Sequence, residues 1–67
     1  MLGERLKKAR EATGMTQAEV ARELGLSQAA YSYIENDEKN PSLPVAKRLA
    51  TVLNTSLDYL TGIKDEK

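Results

Sequence analysis

Residues that end helices recur along the whole chain, at Gly14, Gly25, the stretch Asn36 to Ser42, Asn54 and Gly62. Glycine, and less readily asparagine, adopts the left-handed backbone that closes a helix. No regular element can therefore run long, and the chain is restricted to short helices packed on one another. Leu2, Leu6 and Ala9 share one face of a first segment that ends at Gly14. Thr16-Gln17-Ala18-Glu19 has the S/T-x-x-E form of a capping box and opens a second helix, striped by Val20, Ala21 and Leu24 and stopped at Gly25. Ser27 caps a third, from Gln28 to about Glu35, that buries Ala30, Tyr31 and Ile34. Residues 36–42 are polar or proline and read as a loop. Ser42 caps a fourth helix, with Pro44 tolerated in its first turn. Ala46, Leu49, Ala50 and Leu53 then repeat at i, i+3, i+4 and i+7, the clearest amphipathic pattern in the chain. Asn54 ends that helix. Thr55 or Ser56 caps a last short one carrying Leu57, Tyr59 and Leu60, closed by Gly62. No stretch alternates with period two, so a sheet is not expected. The reading is all-α, a compact five-helix domain over residues 1–63 with residues 64–67 as a frayed tail.

Composition narrows the chemistry. At 67 residues the chain is near the lower limit for a single unaided core. It has no cysteine and no histidine, which removes disulfides, thiolate metal sites, the usual zinc ligand and the commonest general base. The remaining Ser, Lys and carboxylate groups form no recognisable catalytic set, so neither an enzyme, nor a metal, nor a cofactor is expected. No small-molecule ligand is evident. Apolar runs fall short of the ~20 residues that span a bilayer, and the N-terminus lacks a signal-peptide core. A soluble, cytoplasmic protein working by binding is the expectation. Ten Lys/Arg balance ten Asp/Glu, which argues against a non-specific nucleic-acid coat but not against a domain that reads a site.

The informative segment is Gln17 to Ile34: a short helix, a turn at Gly25 and a second short helix, the composition of a helix-turn-helix. Ala21 is small where the second helix crosses close to the first, and Val20, Leu24, Leu26 and Ile34 supply the core that sets the angle between them. At these residues the chain resembles the phage-repressor (Cro and cI, XRE-type) helix-turn-helix family of transcriptional regulators. The matching residues are Arg10, Met-Thr-Gln-Ala-Glu-Val-Ala at 15–21, Leu-Gly-Leu-Ser-Gln at 24–28, Ile-Glu-Asn at 34–36, Leu-Ala-Thr-Val-Leu-Asn at 49–54 and Leu-Asp-Tyr-Leu at 57–60. The resemblance covers nearly the whole chain. It implies a five-helix domain whose third helix enters the major groove of double-stranded DNA, in a sequence-specific regulator, most simply a repressor.

The third helix carries a suitable inventory of its own. With Ala30, Tyr31 and Ile34 turned inward, Gln28, Ala29, Ser32 and Tyr33 are left outward. Glutamine reads adenine through N6 and N7, an alanine methyl meets the thymine methyl, and serine bonds either base type. These four are the expected base readers. Alternatively, Gln28 only solvates the helix start and Tyr33 packs on a neighbour. Phosphate contacts are expected at the start of the second helix, Thr16 and Gln17, where free backbone N–H groups and the positive dipole end face an anion. The resemblance assigns Gln17 the same role, together with Asn36; Lys39 is a further candidate. It also implies that Arg10 and Glu35 form a structural ion pair joining the first helix to the third.

Three positions depart from the family pattern. Tyr31 stands where Ile or Val is usual, so its phenol should reach a polar partner or the surface. Asp37 stands where Gly is common, and Glu38 where a basic residue often sits. The acidic pair should repel DNA locally and weaken a lone domain. Dimerisation on a palindromic operator is the natural remedy, with Val52, Leu57, Tyr59 and Ile63 as contact candidates, each of which can instead close the domain's own core. The competing reading is a protein-interaction module or antitoxin of the same fold with weak or no DNA binding.

Overall fold

The computed structural model describes residues 2–62. Five helices follow in order: α1 Leu2–Thr13, α2 Gln17–Leu24, α3 Gln28–Glu35, α4 Leu43–Val52 and α5 Leu57–Thr61. Among the described residues no strand is present, and no helix is long and apolar enough to cross a membrane. The expected tail at 64–67 lies outside the described residues.

The starts of α2, α3, α4 and α5 each have a side-chain cap. The Thr16 hydroxyl accepts from the Glu19 amide at 3.1 Å while the Glu19 carboxylate accepts from the Thr16 amide at 2.8 Å, completing the capping box of α2. Ser27, Ser42 and Ser56 accept from the amides of Ala30, Val45 and Tyr59 in the same way. Ser56, rather than Thr55, is therefore the cap of α5.

The ends share one geometry. At the close of α1, α2, α3 and α4 an amide reaches back to the carbonyl five residues earlier: Met15 to Arg10, Leu26 to Ala21, Glu38 to Tyr33 and Thr55 to Ala50. This closure needs a left-handed residue just before the donor. Gly14, Gly25, Asp37 and Asn54 fill that position, with φ of +77°, +71°, +62° and +52°. Asp37 lies in the stretch expected to end α3, but the sequence did not single it out as the left-handed residue. An aspartate tolerates the conformation better than most residues with a β-carbon.

One core joins all five helices. Leu6, Val20, Tyr31, Leu49 and Leu60, one from each helix, are at most 1% exposed, as is Leu53 at the end of α4. Burying each such side chain stabilises the fold by about 1.5–3 kcal/mol before entropy is counted. Ala9, Ala21 and Ile34 complete the core, and Leu24 and Leu26 pack on it half-buried. Helix α3 packs against α1 and α2, α4 packs against α2 and α5, and α1 packs against α5. The opposite face of α3 is left uncovered.

Candidate nucleic-acid interface

Gln28, Ala29, Ser32 and Tyr33 recur at i, i+1, i+4 and i+5, which places them on one side of α3. Gln28 and Ala29 are exposed, Tyr33 is 53% exposed and Ser32 is half-buried. On the other side, Tyr31, Ile34 and Glu35 are buried and Ala30 is half-buried. The angle of α3 to α2 is set by Gly25 and by Val20 and Ala21, both buried against it.

The candidate phosphate contacts form a rim at one end of this face. The side-chain Nε2 of Gln17 donates to Glu35 Oε1 at 3.1 Å, so the start of α2 lies beside the end of α3. The capping box occupies the Thr16 and Glu19 amides, leaving those of Gln17 and Ala18 as the open donors of the first turn. The Glu19 carboxyl, hydrogen-bonded to Thr16, is held below the ordinary carboxylate range. Asn36 and Lys39 are exposed just past α3, and the Asn36 amide approaches Ser32 Oγ at 3.4 Å. The rim is thus anchored from beneath by a side chain that the sequence assigned to phosphate, since Gln17 spends a donor inside the protein.

That anchor belongs to a buried network. Arg10 Nε and Nη2 donate to Glu35 Oε2 and Oε1 at 2.9 and 3.0 Å, a two-point pair, and Arg10 Nη1 donates to the Met15 carbonyl at 2.9 Å. The side chains of Arg10 and Glu35 are 13% and 3% exposed. Burial pushes the Glu35 carboxyl up, but hydrogen bonds from Arg10 and Gln17 and the guanidinium charge outweigh it and leave the group below its ordinary range. Arg10 therefore ties α1 to α3 from within.

The Tyr31 phenol does not come to the surface: the residue is fully buried, and its hydroxyl sits beside the Glu35 carboxylate and the Arg10 guanidinium without completing a hydrogen bond. Burial, followed by the approach of the hydroxyl to Glu35, pushes the phenol's pKa above its ordinary value.

The dimer-contact candidates are scattered. Val52 lines a shallow groove with Glu23, Pro44, Lys47, Arg48 and Thr51. Leu57 lines a different, apolar groove of about 340 Å³ with Leu2, Pro41 and Leu43. Tyr59 packs half-buried on the core, with the Arg5 guanidinium 5.0 Å from its ring centroid and Arg5 Nη1 donating to its carbonyl at 3.3 Å. Ile63 lies outside the described residues. Leu43, 60% exposed, was missed in the sequence because it falls within the cap region of α4 rather than on its apolar stripe. Gly3 was missed too. A β-carbon there would stand 2.1 Å from the Glu35 carbonyl oxygen, and only the folded arrangement reveals this approach of α1 to α3.

Comparison with known proteins agrees with this geometry. A helix-turn-helix family model matches residues 6–60. The transcriptional regulator ImmR of Bacillus subtilis is 42% identical over 65 residues, which is 97% of this chain and 50% of that protein. The chain spans 50–59% of the length of ImmR and two further Bacillus subtilis regulators that it matches, and 90% of a regulator of Archaeoglobus fulgidus. Among solved structures, the P22 c2 repressor in complex with a synthetic operator aligns with a TM-score of 0.84 at 32% identity, covering 90% of this chain and 91% of that one. The biofilm master regulator SinR in complex with DNA aligns with a TM-score of 0.82 at 31% identity, covering 91% and 98%.

Proposed function

This chain belongs to the helix-turn-helix family of phage-repressor type, and on that premise we propose that it binds a specific duplex operator as a cytoplasmic transcriptional repressor. Helix α3 lies in the major groove, where Gln28, Ala29, Ser32 and Tyr33 read base edges. The backbone amides of Gln17 and Ala18, with Thr16, Asn36 and Lys39, hold phosphates along the rim at the end of α3. The carrying observation is the uncovered face of α3, whose outward residues are polar or small while its inner face is locked by core and ion pair. The P22 c2 repressor in complex with a synthetic operator and SinR in complex with DNA support the reading that this chain binds a duplex.

A zero net charge limits how much affinity one domain draws from phosphates alone. Two copies on a palindrome overcome that limit because the second domain binds at high effective concentration. The exposed Leu43 beside the Leu57 groove supports pairing through that edge.

Selection of random duplex DNA by the purified chain, at low and moderate salt, tests the proposal. An enriched palindrome is the expected result. Gln28→Ala should then relax preference at one position per half-site, by about 1–3 kcal/mol of discrimination. Binding that is weak, salt-sensitive and blind to sequence would instead favour an interaction module that keeps the fold.

A further inference from the structure

We propose that Asp37 is a positioning residue for the phosphate rim: its carboxylate, tied to the first turn of α1, holds the left-handed residue that fixes the loop carrying Asn36 and Lys39. The inference rests on the DNA-binding reading above and names a residue that the reading does not use.

The loop leaves α3 through a closure of defined geometry. The Asp37 amide donates to Ile34 O at 3.2 Å, and the Glu38 and Lys39 amides both donate to Tyr33 O, at 2.8 and 3.2 Å. That closure requires Asp37 at φ +62°, a conformation that is costly for a residue with a β-carbon. A tertiary bond holds it there: Asp37 Oδ1 accepts from the Gly3 amide at 3.0 Å, across 34 residues of sequence. Gly3 lies in the first turn of α1, where amides have no partner within the helix and the dipole favours a negative charge. The approach is as close as the backbone permits. A β-carbon on Gly3 would come 2.1 Å from Glu35 O and 3.0 Å from Asp37 Oδ2. The beginning of α1 thus clamps the residue that directs the loop away from α3, with Asn36 immediately before it and Lys39 two residues after.

The clamp changes the meaning of the acidic pair. The Asp37 carboxylate keeps its negative charge while one of its oxygens accepts from α1, and both it and Glu38 are exposed. Repulsion and positioning predict opposite signs for the same substitution. If Asp37 only repels, removing its charge tightens binding. If it positions the loop, removing it weakens binding.

The test uses the full chain and the duplex that the wild type itself selects. Asp37→Ala loses both the acceptor and much of the tolerance for a left-handed backbone, Asp37→Gly loses only the acceptor, and Asp37→Asn keeps an acceptor oxygen without the charge. Affinity is measured across a salt series, at a temperature where circular dichroism shows each variant folded. We expect Asp37→Asn within about twofold of wild type. Asp37→Ala should bind roughly tenfold more weakly, with a salt slope shallower by about one phosphate contact, and Asp37→Gly should fall between them. A purely structural cap would lower the melting temperature without moving the slope. Ala and Gly variants that bind as tightly as wild type, or more tightly, overturn the proposal. If the wild type enriches no duplex, the DNA-binding reading fails first and the role of Asp37 falls with it.

Discussion

Glu35 and Arg10 show how a buried charge acts in so small a core. With Glu35 7% exposed, deleting the guanidinium strands a carboxylate in the interior, at a cost of about 3 kcal/mol. For a domain of this size the melting temperature moves about 4–8 °C per kcal/mol, so Arg10→Met should lower it by roughly 12–24 °C at neutral pH. The pH dependence has a definite sign. The Glu35 pKa is depressed in the folded state, so its contribution is complete above the unfolded carboxyl value and is lost as pH falls through the lower folded one. In Arg10→Met, burial is opposed mainly by the Gln17 hydrogen bond and not by the guanidinium, so the pKa rises and acidification neutralises the stranded charge. The gap in melting temperature between wild type and variant should therefore narrow steadily below about pH 5; a gap independent of pH would count against the ion pair as its source. Tyr31 makes the converse case. Its hydroxyl is buried without a partner, and an unpaired buried polar group costs about 1–3 kcal/mol. Tyr31→Phe should raise the melting temperature, and a fall would mean that the hydroxyl bonds Glu35 in solution.

At the scale of elements, what the sequence disclosed follows from how locally each signal acts. Thr16 with Glu19, Ser27, Ser42 and the glycines at 14, 25 and 62 cap helices by chemistry confined to a few neighbours, so five helices and their order were legible before any packing was known. Asp37 and Gly3 were not, because each is explained only by a residue more than thirty positions away. The outward face of α3 was legible because its inner stripe is regular. The engagement of Gln17 with Glu35 was not, since nothing local ties the start of one helix to the end of the next. Two glycines separate these causes experimentally. Gly25 has φ +71° and open space where a β-carbon would go, so Gly25→Ala should cost about 1–2 kcal/mol of backbone strain alone. Gly3 has no strained backbone but no room, and inside a helix Ala is ordinarily favoured over Gly by about 1 kcal/mol. Gly3→Ala should nonetheless destabilise by about 2–3 kcal/mol through overpacking, measured by urea unfolding. A gain in stability at Gly3 would mean that α1 slides freely over the end of α3.

The whole folded domain spans 29 × 23 × 19 Å between its Cα atoms, and this size constrains how two copies share an operator. Half-sites one helical turn apart are separated by about 34 Å, comparable to the longest dimension of the domain once side chains are included. Two copies on one face of a duplex therefore meet only at their edges, through a small surface, and the contact matters mainly once DNA has brought them together. Leu43 is suited to such an edge: it is 60% exposed, and its neighbours Leu2, Pro41 and Leu57 form an apolar groove. Substituting so exposed a residue should change the stability of the single domain by no more than about 0.5 kcal/mol. Leu43→Glu should leave the melting temperature and binding to an isolated half-site unchanged. Binding to the full palindrome should weaken by about tenfold, because two carboxylates would then face each other across the two-fold axis. Inserting about five base pairs between the half-sites, half of a helical turn, should produce the same loss in the wild type by moving the second copy to the opposite face. If Leu43→Glu binds the full palindrome as tightly as wild type, the copies meet elsewhere. The groove lined by Val52 and Arg48 is then the surface to substitute next.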